Sequence, residues 1–405
     1  MGTYTNTPNL FKFATSELSQ DAFICWTLDG LNYSGKREDY PKCALNNFSK
    51  KFFDLIITEW NHFCSISHIN TCRCTEKAED IISIDIKQQS DKIDIFAVVT
   101  FNDRSERAII IEDKTFTSQH DNQLEHYKNI VCDSYGFDKP ICIYLKIGFP
   151  FFDEQVVSLS GYVSIFRGQI LKVMSEFDGK LSSDIFRSYY EHLSEIEHND
   201  NEIISALYSR DYETALKTHI GQYITMDMLV AHGDNLIVTY GADNTPEYIL
   251  SRMEIGKNKG GSPWTQYNVL YPQYCDEYNK GYIPAECTFV DNITYRIDLN
   301  KEGYYISIRQ YNNSEMDTTA KMARLEKLKS LFQEAVHQVE EERKNCIPPV
   351  KFAHLFSYEN GRGKKESVIA SVYFRHLSPK DFTLLQELLR IVTQAFTKLI
   401  KDSFI

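Results

Sequence analysis

No apolar run in this 405-residue sequence approaches the roughly 18 residues needed to cross a bilayer. The start, Met1-Gly2-Thr3-Tyr4-Thr5-Asn6, lacks the basic opening and apolar core of a secretory signal. Asn6 also stands where a myristoylation motif needs Ser or Thr. Positive charge is short as well. Forty-four Lys and Arg against fifty-six Asp and Glu leave a net charge of −12. That excludes a chain-wide cationic coat for nucleic acid and leaves a local basic groove, or binding assisted by a metal ion. Ten Cys fall into no regular framework, so reduced thiols in a cytoplasm are expected rather than a disulfide scaffold. Internal repeats and long low-complexity segments are missing too. What is present is a chain with a quarter of its residues charged, long enough for two or three domains at roughly 100–200 residues each.

Hydrophobic period gives the organisation. Thr15-Ser16-Glu17-Leu18-Ser19 is a helix-start signal ahead of Ala22, Phe23, Cys25, Trp26 and Leu28, with Gly30 as a stop. A second helix is expected through Phe52, Phe53, Leu55, Ile56, Ile57 and Trp60. Alternation then takes over. Residues 82–87 predict a half-buried strand, 88–92 a turn, 93–99 a second strand, 102–105 another turn, and 107–114 a third strand, apolar until its last three residues. A helix over 121–132 and a strand over 141–145 follow. The order α, α, β, β, β, α, β predicts a mixed α/β core, a mixed sheet flanked by helices.

Beyond residue 160 the pattern suggests an α+β C-terminal region. Residues 165–230 read as helical, with a polar interruption at 197–202, and 235–312 as short strands rich in Tyr. A helix over 318–344 carries the stripe Leu325, Leu328, Phe332, Ala335 and Val339. Another from Pro379 carries Leu385, Leu388, Val392, Ala395 and Leu399. The expected domains are 1–160 and 161–405, the second serving substrate selection, regulation or dimerisation.

Three charges stand at the ends of apolar strands. Asp94 opens one, and Glu112 and Lys114 close the next. Isolated buried charge is costly, so these need a reason. Side chains alternate along a strand, so Glu112 and Lys114 share one face while Asp113 points to the other. If the two strands pair through the 102–105 turn, Asp94 lies near Glu112, and two carboxylates and an ammonium converge. Mg²⁺ prefers oxygen ligands and takes only one or two carboxylates, keeping waters and phosphate oxygens for the rest. The set therefore suits metal-assisted phosphodiester hydrolysis, with Lys114 orienting water or stabilising developing charge and the main-chain carbonyl of Asp113 as a further ligand.

Ile93-Asp94-Ile95 followed by Glu112-Asp113-Lys114 closely resembles the PD-(D/E)xK nuclease superfamily, although Ile93 stands where the motif's Pro would be. Gln123-Leu124-Glu125-His126-Tyr127 resembles the Gln-x-x-x-Tyr signature of its RecB-type branch. Glu17 resembles the first-helix glutamate that often completes the metal site. The resemblance covers about residues 10 to 150. It implies a restriction-endonuclease-like core, a Mg²⁺ cofactor that Mn²⁺ can replace, and metal ligands Asp94, Glu112, Asp113 and Glu17. It also implies a catalytic Lys114 and a site organised by Gln123 and Tyr127, acting on DNA in bacterial defence or DNA repair. Two other readings stay open on the residues alone: a nucleic-acid-binding or regulatory protein with little catalysis, and a nuclease for RNA or branched DNA.

Other features are weaker. Lys257 and Lys259 in one Gly-containing stretch, and Arg362, Lys364 and Lys365 in another, are candidate phosphate contacts, with Trp264, Tyr267, Tyr271 and Tyr274 as candidate stacking partners. An exposed turn and core aromatics is the competing reading. His62, Cys64, His68, Cys72 and Cys74 match no zinc spacing, and free thiols are expected there. A homodimer is an expectation for the two C-terminal helices, beside intramolecular packing.

Overall fold

The alternating segments between residues 81 and 114 pair as an antiparallel meander in the computed structural model. It describes residues 9–12, 17–33, 40–114, 123–151, 157–158, 160–209, 211–231, 250–257, 261–270, 293–300, 303–311, 317–342, 356–358, 366–373 and 379–404. Contacts divide the chain into two units, Met1–Asn201 and Glu202–Ile405.

The first unit holds a five-stranded sheet in the order β1-β2-β3-β4-β5, with β1 Ile81–Ser90, β2 Ile93–Phe101, β3 Glu106–Lys114, β4 Ile141–Lys146 and β5 Val163–Phe166. The β1–β2 and β2–β3 pairs are antiparallel, whereas β3–β4 and β4–β5 are parallel. All six residues of β4, Ile-Cys-Ile-Tyr-Leu-Lys, are buried. A parallel strand covered on both faces carries such an unbroken apolar run rather than an alternation. The helices are α1 Glu17–Asp29, α2 Tyr40–Ile66, α3 Gln123–Tyr135, α4 Arg167–Ser175 and α5 Asp184–Ser209. In α3 the buried residues Leu124, Tyr127 and Val131 fall on one stripe. Burying each large aliphatic of the core is worth about 1.5–3 kcal/mol. At the open edge of the sheet, Asn32 bonds Ile84 both ways, Nδ2 to Ile84 O at 3.0 Å and Ile84 N to Oδ1 at 2.9 Å. A side-chain amide there replaces a missing neighbour strand and blunts the edge.

The expected α and β order holds over residues 17–146. Two departures follow. Val163–Phe166 adds a fifth strand where the sequence reads as the start of a helical stretch. The polar run at 197–202 does not interrupt a helix: α5 passes through it. Arg167 explains this, because its guanidinium bonds Glu197 Oε2 at 2.8 Å, Asp200 Oδ2 at 2.5 Å and the Ile147 carbonyl at 2.7 Å. The acids face a buried partner about thirty positions away in sequence, which local pattern cannot display.

The second unit is built on a six-stranded antiparallel sheet, order β10-β11-β9-β8-β7-β6. Its strands are β6 Leu250–Lys257, β7 Pro263–Leu270, β8 Ile293–Asn300, β9 Gly303–Tyr311, β10 Phe356–Ser357 and β11 Glu366–Tyr373. Helices α6 Tyr212–Ala215, α7 His219–Met226, α8 Thr318–Glu342 and α9 Pro379–Phe404 accompany it. All five stripe residues predicted for α8 are buried. In α9 the buried side is Leu385, Leu388, Leu389, Val392, Phe396 and Ile400. The stripe is therefore rotated by one position from the expected Ala395 and Leu399, which are only half-buried. Phe332 of α8 meets Phe396 of α9 edge to face at 5.1 Å, so these faces pack within one chain. No helix among the described residues is long and apolar enough to cross a membrane.

Candidate active site

The register of the meander builds the site. Ile95 pairs with Ile111, so the next step of the antiparallel ladder sets Asp94 beside Glu112. Side chains of directly opposed residues share a face, and Lys114 lies two residues on, on the same face. Lys114 Nζ stands 2.6 Å from Glu112 Oε1 and 3.9 Å from Asp94 Oδ2. The carboxylates and the ammonium expected to converge do so.

Burial sharpens their chemistry. Glu112 is fully buried and Lys114 is 7% exposed. Desolvation, with the nearby Asp94 charge adding to it, pushes the Glu112 carboxyl up to about 8, while Lys114 opposes the rise. Its Oε1 accepts from Lys114 and, at 2.9 Å, from Gln123 Nε2, whereas its Oε2 is buried with no hydrogen-bond partner. Asp94 accepts from the Asp113 main-chain N–H at 3.1 Å on Oδ2 and from Gln89 Nε2 at 3.1 Å on Oδ1. Gln123 Nε2 also donates to Tyr127 Oη at 2.7 Å, which the four-residue spacing on α3 allows. Burial raises the Tyr127 phenol and keeps it neutral.

The Asp113 side chain points to the other face, fully buried, where Gln20 Nε2 of α1 donates to its Oδ1. Its main chain, by contrast, holds Asp94. Glu17 opens α1, and the reading of its side chain as a metal ligand lies outside the described residues. Asp21, one turn further along α1, is 1% exposed and accepts from Gln89 Nε2 at 3.1 Å. Sequence reasoning missed Gln20, Asp21 and Gln89. It also missed Lys146, which pairs with Lys114 across β3–β4 and is 2% exposed. A charged residue ending the apolar run of β4 was the signal for Lys146. None existed for Gln89 until the turn before Asp94 was known.

Among the described residues no group of three or more His, Cys, Asp or Glu is arranged to hold a metal ion. The donors that meet are two carboxylates, Asp94 and Glu112. Hard oxygens in that number fit a divalent cation that keeps its waters, and the unpartnered Glu112 Oε2 is a buried acceptor that such a charge would satisfy.

Lys257 is exposed at the end of β6, while Lys259, Arg362, Lys364, Lys365, Tyr271 and Tyr274 lie outside the described residues. Tyr267 is buried, its ring 6.3 Å from Tyr295, and so is core rather than a stacking platform. Trp264 carries the Arg296 guanidinium over its ring at 5.2 Å. Cys64, Cys72 and Cys74 are free thiols. Trp60 Nε1 donates to the Cys72 carbonyl at 2.8 Å and Asn61 brackets the Cys74 backbone, so α2 fixes this segment by its main chain.

Residues 8–160 match the family model of the PD-(D/E)XK nuclease superfamily. This segment belongs to that superfamily. The five-stranded mixed sheet flanked by helices agrees with the restriction-endonuclease-like fold of its members. Membership implies a nuclease, hence a nucleic-acid substrate, in a superfamily whose members generally use divalent metal ions. No curated protein and no solved structure matches the chain.

Proposed function

We propose that the protein is a Mg²⁺-dependent nuclease that hydrolyses phosphodiester bonds in DNA, with Mn²⁺ able to replace Mg²⁺. The observation that carries this reading is the convergence of Asp94, Glu112 and Lys114 on one face at the β2–β3 ladder. Asp94 and Glu112 would hold the cation, with the Asp113 carbonyl as a further ligand and Glu17 in support. When bound, the ion would stabilise charge on the scissile phosphate and lower the pKa of a water. Lys114 is held by burial and by Glu112 beside the two carboxylates, so its ammonium would lose little freedom on meeting a phosphate there. Gln123, donating to both Glu112 and Tyr127, sets the Glu112 carboxylate so that Oε2 is left for the cation. These two α3 residues support placement in the RecB-type branch.

The unit from Glu202 onward would select substrate, regulate the activity or build a homodimer, with Lys257, Lys259, Arg362, Lys364 and Lys365 as phosphate contacts. Kinship suggests work in bacterial defence or DNA repair, in the cytoplasm.

The test incubates the purified chain with linear, circular and single-stranded DNA and with RNA, in Mg²⁺, Mn²⁺ or EDTA. DNA cutting that needs the metal and vanishes in Lys114→Ala and Asp94→Ala is the expected result. Cutting that survives EDTA or either substitution defeats the mechanism. Cutting of RNA alone moves the substrate, and binding without cutting moves the reading to a regulatory protein.

A further inference from the structure

The meander places a third polar side chain in the row that holds the two carboxylates. Ser90 pairs with Ile93 and Gln88 with Ile95, which leaves Gln89, itself at φ 53°, at the position opposite Asp94. Between the strands, Asp91 and Lys92 both have positive φ, 54° and 68°, the geometry of a two-residue type I′ hairpin. This tight turn fixes the register, and the register brings Gln89 to Asp94. The row across three strands therefore reads Gln89, Asp94, Glu112.

We propose that Gln89 is a positioning residue for Asp94, tying that carboxylate to Asp21 on helix α1; the inference rests on the nuclease reading above. One carboxamide nitrogen carries two protons. Nε2 of Gln89 lies 3.1 Å from Asp94 Oδ1 and 3.1 Å from Asp21 Oδ2, so each proton has its own acceptor. Asp94 then has a donor on each oxygen, Gln89 on Oδ1 and the Asp113 N–H on Oδ2. A carboxylate held at both ends cannot rotate without losing a hydrogen bond, and its remaining lone pairs keep a fixed direction. Asp21, 1% exposed on a helix of the core, is the rigid end of the tether. The amide also separates two negative charges that would otherwise face each other. Few side chains can do this. Ionised glutamate has no proton to donate, and methionine has the length but no N–H. Outer groups that orient ligating side chains commonly change metal affinity or activity about 10–100-fold when removed.

The experiment compares wild type, Gln89→Met, Gln89→Glu and Asp94→Ala, all as full chains. Mn²⁺ affinity is read by electron paramagnetic resonance, kcat and KM on linear DNA, and Tm in EDTA. Gln89→Met is expected to weaken Mn²⁺ binding about tenfold and lower kcat at least as much, with KM changed less than about threefold and Tm within about 2 °C. Gln89→Glu is expected to be no milder, because it sets a third carboxylate between the other two. Wild-type Mn²⁺ affinity and kcat in Gln89→Met, while Asp94→Ala abolishes both, overturns the positioning role and leaves the nuclease reading standing. A Tm that falls by more than about 5 °C in step with affinity reduces Gln89 to a structural residue and also overturns the proposal. Mn²⁺ binding that Asp94→Ala leaves intact overturns the nuclease reading itself, and the inference with it.

Discussion

Glu112 shows how one buried side chain can make the stability of a fold depend on pH. Its carboxyl lies at about 8 in the folded chain, against an ordinary value near 4.5, chiefly because burial penalises the charged form. The sign of the pH effect follows. A group whose folded pKa is raised contributes its stability in full below the unfolded value and loses it as pH rises through the folded value. In EDTA, therefore, the protein is expected to lose stability between about pH 4.5 and 8, by on the order of a few kcal/mol. Glu112→Gln removes the ionisable proton and should flatten this part of the profile. Thermal melts of both proteins from pH 5 to 8 check it, and parallel profiles would disprove the assignment. Lys114 is the complementary case. Removing it leaves Glu112 buried with only Gln123 on Oε1, so Lys114→Ala is expected to destabilise the metal-free fold by about 1–3 kcal/mol as well as to abolish cutting. Calorimetry in EDTA separates that effect from catalysis.

The elements explain which parts of this protein the sequence discloses. The strands 81–114 and 141–146 are visible because their burial follows directly from their composition: alternation where one face is wet, an unbroken apolar run where neither is. Given those strands, Asp94, Glu112 and Lys114 are legible too, since an antiparallel ladder through a short turn leaves little choice of register. Gln89 is not. Residues 88–92 read as one turn, whereas Asp91 and Lys92 make the whole of it, neither being the Gly or Asn that usually marks a type I′ hairpin. Strand β5 has only one buried residue in four, too few to show a period. The unbroken α5 depends on Arg167, far away in sequence. Two predictions belong at this level. Lys92 sits at φ 68° without the freedom of glycine, so Lys92→Gly is expected to stabilise the fold by about 1 kcal/mol, read from the urea midpoint. Asp91 is left alone because its Oδ2 accepts from Tyr135 Oη at 2.7 Å. Arg167→Ala leaves the buried Asp200 carboxylate without its guanidinium, while Glu197 stays in contact with water, and should cost about 3–5 kcal/mol, whereas Lys217→Ala, at an exposed i,i+4 pair with Glu213, should cost less than about 0.5 kcal/mol.

At the scale of the whole molecule, the question is whether the nuclease unit needs the rest of the chain in order to exist. Its core cluster runs from Phe11 to Leu193, and every member lies within the first unit. The sheet that carries Asp94, Glu112 and Lys114 is closed by strands and helices from that same stretch. A domain with its own core can fold alone, and one of this size buries enough surface to do so. The matched superfamily segment, 8–160, ends before β5 and Arg167, so it leaves out elements that this particular core uses. Where the chain is cut therefore matters. A fragment ending at Ser209, the last residue of α5, retains Arg167 with both of its acidic partners. It is expected to melt in one cooperative step and to bind Mn²⁺ within about threefold of the full chain. A fragment ending at residue 160 lacks β5 and the Arg167 anchor and is expected to lose cooperative melting. Circular dichroism melts with Mn²⁺ titration of both fragments read the difference, and a 1–160 fragment as cooperative as 1–209 would show that the superfamily core is sufficient without its fifth strand.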